Sequence, residues 1–162
     1  MNQMNPYFRV DDRLIHGQVV TQWVKALGTS TIWVVSDRAA AQPIEVTLLK
    51  SSVPPHMSLQ VFRVEDALTQ WSKQSEDHLL ILTEGLEEVI QLYDGGFPIG
   101  EVNIGGMRYR PGRKGLNRAV YMGEPEVQLL LEMEARGIDA FIRIMPTDNR
   151  VNAYERTRRK WK

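Results

Sequence analysis

The stretch Arg9-Val-Asp-Asp-Arg-Leu-Ile-His-Gly-Gln-Val-Val sets a histidine three residues after an arginine and close behind two adjacent carboxylates. A neutral imidazole nitrogen on His16 is a competent nucleophile, and the planar fork of Arg13 can hold two phosphoryl oxygens at once. Phosphoryl transfer has a loose transition state with charge spread over the equatorial oxygens, so positioned cations and amide donors supply most of the catalysis. The pattern makes His16 a candidate nucleophile for phosphoryl transfer with Arg13 as its electrophile, a structural or solvent-exposed histidine being the alternative reading. Asp11 or Asp12 would fix the ring's tautomer or orient Arg13, or would simply cap the turn, and both readings stand at this point.

The elements around the stretch must hold these groups. Apolar runs at 7–10, 31–35, 58–62, 79–82, 101–104 and 140–144 have the length and composition of buried strands. Segments of helical period lie between them at 18–27, 43–53, 64–74, 85–95 and 124–136, and the basic end 155–162 continues as a helix. In the segment 124–136, Val127, Leu130, Leu131 and Met133 are expected to face inward. This alternation predicts an α/β fold, a single domain over 1–162 with a central, mostly parallel sheet and helices on both faces. Pro111-Gly112, flanked by Tyr109 and by the strand-like 116–122, predicts a small antiparallel excursion near 107–122.

His16 then falls in the turn between the first strand and the first helix, at the carboxyl edge of the sheet, where such folds keep their sites. A phosphoryl group there would meet the first-turn amides of Gly17, Gln18 and Val19. Asn103, Gly105 and Gly106 follow an apolar strand, and the glycines would turn main-chain amides toward the same group, a tight turn being the alternative. Ser36 and Asp37 end the second strand and would line the crevice or cap the next short helix, capping being the better reading for Ser36. Arg9, Arg108, Arg110 and Arg113 would form a basic rim, or simply solvated charge. His56 and His78 read as surface residues without metal-ligand spacing, and Gly106 to Lys114 fails the spacing of a nucleotide phosphate loop.

The 162 residues carry no cysteine and no apolar run that would span a bilayer. Formal charge is zero, but residues 1–100 hold 7 Lys/Arg against 12 Asp/Glu and residues 101–162 hold 13 against 8. The halves are thus −5 and +5, an asymmetry that orients charged partners. The basic tail from Arg150, with Tyr154 and Trp161, suits anionic headgroups, a membrane-protein contact or nucleic acid, a solvated helix end being the plainer reading.

Arg9 to Val24 closely resembles the phosphorylation motif of the IIB subunits of the mannose, fructose and sorbose family of bacterial phosphotransferase systems. Asn103-Ile-Gly-Gly-Met-Arg-Tyr-Arg-Pro-Gly-Arg-Lys-Gly and Ser36-Asp37 extend the resemblance over nearly the whole chain. It places the phosphohistidine on His16 and the phosphate-binding arginine on Arg13. It implies attachment at Nδ1, a phosphorylated IIA protein as donor, and the 6-hydroxyl of a sugar held by membrane IIC and IID components as acceptor. Mannose, fructose, sorbose and N-acetylgalactosamine are the candidate sugars. Neither metal nor nucleotide cofactor is implied, and the expected location is cytoplasmic, peripheral to the membrane, as a monomer or homo-oligomer. The competing expectation is a non-catalytic α/β module that binds a regulator or nucleic acid through its basic half.

Overall fold

The computed structural model describes residues 6–17, 19–72 and 78–161. Its centre is a seven-stranded sheet in the order β3-β2-β4-β1-β5-β8-β9, comprising β1 (Tyr7–Asp11), β2 (Thr31–Val35), β3 (Ser58–Phe62), β4 (Leu79–Thr83), β5 (Glu101–Gly106), β8 (Asp139–Ile142) and β9 (Val151–Asn152). All neighbours pair in parallel except β8 with β9. Parallel neighbours require crossover helices, which explains the alternation seen in the chain.

The helices fall on both faces. On one side α1 (Val19–Leu27), α2 (Asp37–Ala40) and α3 (Pro43–Ser51) bury Val20, Trp23, Val24, Ala39 and Leu49 against Ile32, Val34, Leu80 and Leu82. On the other, α4 (Val64–Ser72), α5 (Leu86–Asp94), α6 (Glu124–Ala135) and α7 (Ala153–Lys160) cover Phe8, Val10, Trp33, Ile81 and Ile104. The central strands are apolar on both faces because both are covered. β1 is the exception: Phe8 and Val10 face the α4–α7 side, so strand alternation sends Tyr7, Arg9 and Asp11 into the α1 side. Two ionisable residues, each 1% exposed, are thereby built into the sheet.

The antiparallel excursion is present but smaller than the sequence suggests. β6 (Lys114–Gly115) pairs with β7 (Tyr121–Met122), and the expected strand 116–122 is mostly turn, with Asn117 accepting from the Ala119 and Val120 amides. In α6 Leu130 and Met133 are buried, whereas Leu131 faces outward at 46% exposure, contrary to the inward placement read from the sequence. The strand expected at 140–144 ends at Ile142; the Arg143 amide still bonds the Ile104 carbonyl, while its side chain bonds the carbonyls of Asp148 and Pro146 in the turn that follows. The predicted helix ends at 73 and 74 and the Glu76-Asp77 pair lie outside the described residues.

α5 begins at Gly85, whose amide donates to Oε1 of Glu88 at 2.9 Å. Burial, reinforced by the nearby Glu84 and Glu87 carboxylates, pushes Glu88 up to about 7 despite its amide bonds. The folded value lies above the unfolded one, so ionisation costs stability progressively as pH rises from the ordinary carboxylate range through 7. Glu88→Gln keeps an acceptor for Gly85 without that loss. Between pH 5 and 8 the parent should lose about 2 kcal/mol more unfolding free energy in urea than the variant; equal losses would contradict the burial argument.

Candidate functional site

β1 lies between β4 and β5, and the chain leaves it and β4 toward opposite faces, into α1 and α5 respectively. Such a switch point opens a crevice at the carboxyl edge of the sheet. The turn Asp12 to Gly17 occupies it. The Leu14 amide bonds the Asp11 carbonyl, and Leu14 and Gly17 both adopt positive φ, at 58° and 51°. For buried Leu14 this is a strained conformation, held because its side chain packs under α1 beside Val20 and Val24.

The Asp11 carboxylate organises the turn. Oδ2 lies 2.8 Å from Nε2 of His16 and 3.6 Å from the Arg9 guanidinium, while Oδ1 accepts from the Arg13 amide at 3.0 Å and faces Arg13 Nε at 3.4 Å. Burial alone would raise its pKa, but the bonds from His16 and the Arg13 amide and the charge of Arg9 outweigh burial and hold it below the usual range. An ionised carboxylate only accepts, so His16 carries its proton on Nε2. No described residue bonds Nδ1. The His16 ring is about one-fifth exposed and Arg13 nearly half exposed, its two terminal nitrogens free of bonds to described residues.

Arg9 is a positioning residue rather than part of the basic rim expected from the sequence. It donates to the Arg143 carbonyl at 2.9 Å and stacks over Trp23 at 5.0 Å, and burial lowers its pKa against the raising effect of Asp11. Trp23 is fixed in turn by a bond from Nε1 to the Ile144 carbonyl.

Gly105 and Gly106 also act differently from expectation. They end β5 itself, where a bulge sets Val10 opposite Ile104 and Asp11 opposite Gly106. A Cβ on Gly105 would stand 2.0 Å from the Arg9 guanidinium carbon, and one on Gly106 would stand 2.8 Å from the Asp11 carboxylate. Their role is to leave room for two buried charges. Asn103, two residues earlier and fully buried, instead lines a cavity with Pro6, Tyr7, Gly100 and Phe141 near the amino ends of β1 and β5.

Of the remaining candidates, Asp12 binds the neighbouring loop, accepting from the Arg108 amide at 2.9 Å and from its guanidinium, which also reaches the Asp12 carbonyl. Ser36 caps α2 by accepting from Ala39 and donates to Glu84 at 2.6 Å, and Asp37 accepts from the Val64 amide at the start of α4. Both are structural. Arg113 is spent on Glu126 and the Arg108 carbonyl, whereas Arg110 is exposed on the cleft wall. Gln18 lies outside the described residues. The sequence reading missed Arg38, which grips Glu45 through two nitrogens and Glu84 through Nε, and with Arg13, Arg108 and Arg110 lines a cleft of about 450 Å³. Its only signal was an arginine three residues beyond a strand end.

A mostly parallel α/β domain with a histidine, an arginine and a buried carboxylate at its switch point has the build of a sugar phosphotransferase-system component. The family described as PTS system sorbose subfamily IIB component matches residues 6–160, and this chain belongs to it. It is 37% identical to the mannose-specific EIIAB component of Escherichia coli K12 over 142 residues, 86% of this chain but 44% of that protein. The chain therefore spans less than half the length of those mannose-specific relatives. It is 34% identical to the sorbose-specific EIIB component of Lacticaseibacillus casei, covering 86% and 87% of the two chains. The crystal structure of the IIBSor domain of the Klebsiella pneumoniae sorbose permease superposes with a TM-score of 0.89 at 31% identity over 96% of this chain and 97% of that one. That of manxB from Thermoanaerobacter tengcongensis gives 0.88 at 31% identity over 99% of both.

Two substitutions measure what these contacts contribute to stability. Ser36→Ala should lower unfolding free energy by about 1–2 kcal/mol. Gly105→Ala must displace the Arg9 guanidinium, lowering stability by about 2 kcal/mol. Urea unfolding measures both.

Proposed function

We propose that the chain carries a phosphoryl group on Nδ1 of His16, accepted from a phosphorylated IIA protein and passed to a sugar held by membrane IIC and IID components. The observation that carries this reading is the 2.8 Å contact between Nε2 and the buried, ionised Asp11, which leaves the Nδ1 lone pair without a partner among the described residues.

In the accepting step the Nδ1 lone pair attacks the phosphorus on the donor histidine. The Nδ1–P bond forms as the donor's N–P bond breaks, and the donor imidazole departs with that electron pair. The His16 ring keeps its Nε2 proton and becomes cationic, a charge that Asp11 offsets. The free terminal nitrogens of Arg13 hold the equatorial oxygens, anchored through Nε on the same carboxylate. In the onward step a sugar hydroxyl attacks, the Nδ1–P bond breaks and the ring returns to neutral, the hydroxyl proton passing to a base of the membrane partner.

The cation needed is supplied by Arg13, so neither metal nor nucleotide enters this reading. Relatives named for mannose, sorbose, fructose and N-acetylgalactosamine match 86–91% of this chain. We assign the sugar to this hexose and amino-sugar class, with the choice made by the membrane partners. The working location is the inner face of the membrane, reached through those partners, since no helix among the described residues is long and apolar enough to cross it.

Incubation with phosphorylated IIA and mapping of the acid-labile phosphate tests the proposal. His16→Ala should take up none, and undiminished phosphate in that variant would refute the assignment. Asp11→Asn can offer an amide proton to Nε2 and so favour the wrong tautomer; its transfer rate should fall by about two orders of magnitude or more. Arg13→Lys should slow transfer by about tenfold or more, because a point charge does not replace the fork.

A further inference from the structure

We infer that the basic end of α7, together with the β6–β7 hairpin, forms a docking face for an anionic membrane surface. The two segments are distant in sequence, and packing joins them. Lys114 of the hairpin stacks over the Trp161 ring at 5.0 Å and reaches the Lys160 carbonyl at 3.3 Å, while Arg156 donates to the Leu116 carbonyl at 2.7 Å. Lys114, Arg118, Arg156, Arg158, Arg159 and Lys160 are thereby gathered on two adjacent segments. Arg158 is paired with Glu134, but Arg118, Arg159 and Lys160 are exposed and form no ion pair with described residues.

Beside these cations runs an apolar groove between α6 and α7, about 220 Å³, lined by Val127, Leu130, Leu131, Tyr154, Thr157 and Trp161. Leu131 is half-exposed on its wall. Thr157, only 5% exposed, has its hydroxyl without a partner among the described residues. Cations around an apolar slot with an indole at its rim match the layers of a lipid interface, where anionic headgroups lie above acyl chains and Trp favours the boundary. A nucleic acid would satisfy the cations but leave Leu131 and the groove unused.

The face also points the right way. α7 starts where Tyr154 bonds the Ile138 carbonyl, at the amino end of β8, and finishes beside the hairpin that leaves the carboxyl end of β5. The loop leading into that hairpin is tied to the phosphorylation turn through Arg108 and Asp12. A surface engaged by α7 would therefore meet the end of the molecule that carries His16. This orienting consequence rests on the proposed function, whereas lipid binding itself does not.

Sedimentation with phosphatidylcholine vesicles, with and without phosphatidylglycerol, tests the inference. The chain should bind the anionic vesicles and be released by salt at about 0.5 M. Arg118→Gln/Arg159→Gln/Lys160→Gln should bind about tenfold or more weakly, with unchanged circular dichroism. Leu131→Gln, tested separately, should also weaken binding, and His16→Ala should bind like the parent, which keeps this test distinct from that of phosphotransfer. Equal binding to neutral vesicles, no effect of the triple variant, or tighter binding to duplex DNA than to anionic vesicles at the same salt would overturn it.

Discussion

One buried carboxylate governs the site. Asp11 sits at the end of a central strand with 1% of its side chain exposed, and it is tolerated there because Arg9, the Arg13 amide and guanidinium, and His16 all converge on it. Arg9 is the partner buried as deeply as Asp11 itself, and breaking a buried ion pair of this kind costs roughly 3–5 kcal/mol. The same contacts that make the charge tolerable also set the chemistry, since the carboxylate selects the imidazole tautomer and anchors the arginine.

The surrounding fold supports that carboxylate. Trp23 of α1 covers Arg9, the turn beyond β8 supplies the Arg143 carbonyl, and the β5 bulge opens the space both charges occupy. Leu14 accepts a left-handed backbone so that the chain can return His16 to the carboxylate within five residues. Strain in the turn, absence of side chains on β5 and an aromatic lid on α1 are parts of one arrangement.

The outer cleft follows a different logic. Arg38 and Arg108 are saturated by Glu45, Glu84 and Asp12, so they brace the walls, while Arg110 and the free end of Arg13 carry unpaired charge toward the opening. The cleft thus presents few free cations among the described residues.

Much of this was legible in the chain. Strand and helix positions followed from hydrophobic period, and His16 with Arg13 followed from spacing and from resemblance. The readings that changed concern residues whose meaning depends on distant partners. Arg9 reads as surface charge until β1 is placed between β4 and β5; Gly105 and Gly106 read as glycines that turn main-chain amides toward a bound group, or as a tight turn, until Arg9 and Asp11 are seen filling their space. Asp11 and Asp12 are indistinguishable in sequence, yet Asp11 ends β1 with its side chain inward on His16 while Asp12, in the turn, is bound by Arg108 of a distant loop. The sequence by itself determined the alternation of elements, because hydrophobic period is encoded locally, and it placed His16 and Arg13 three residues apart after the first strand. Only the tertiary structure decided which carboxylate serves the histidine and which arginines are spent on structure, because burial and ion pairing are set by segments up to a hundred residues or more apart, such as Arg9 and Arg143.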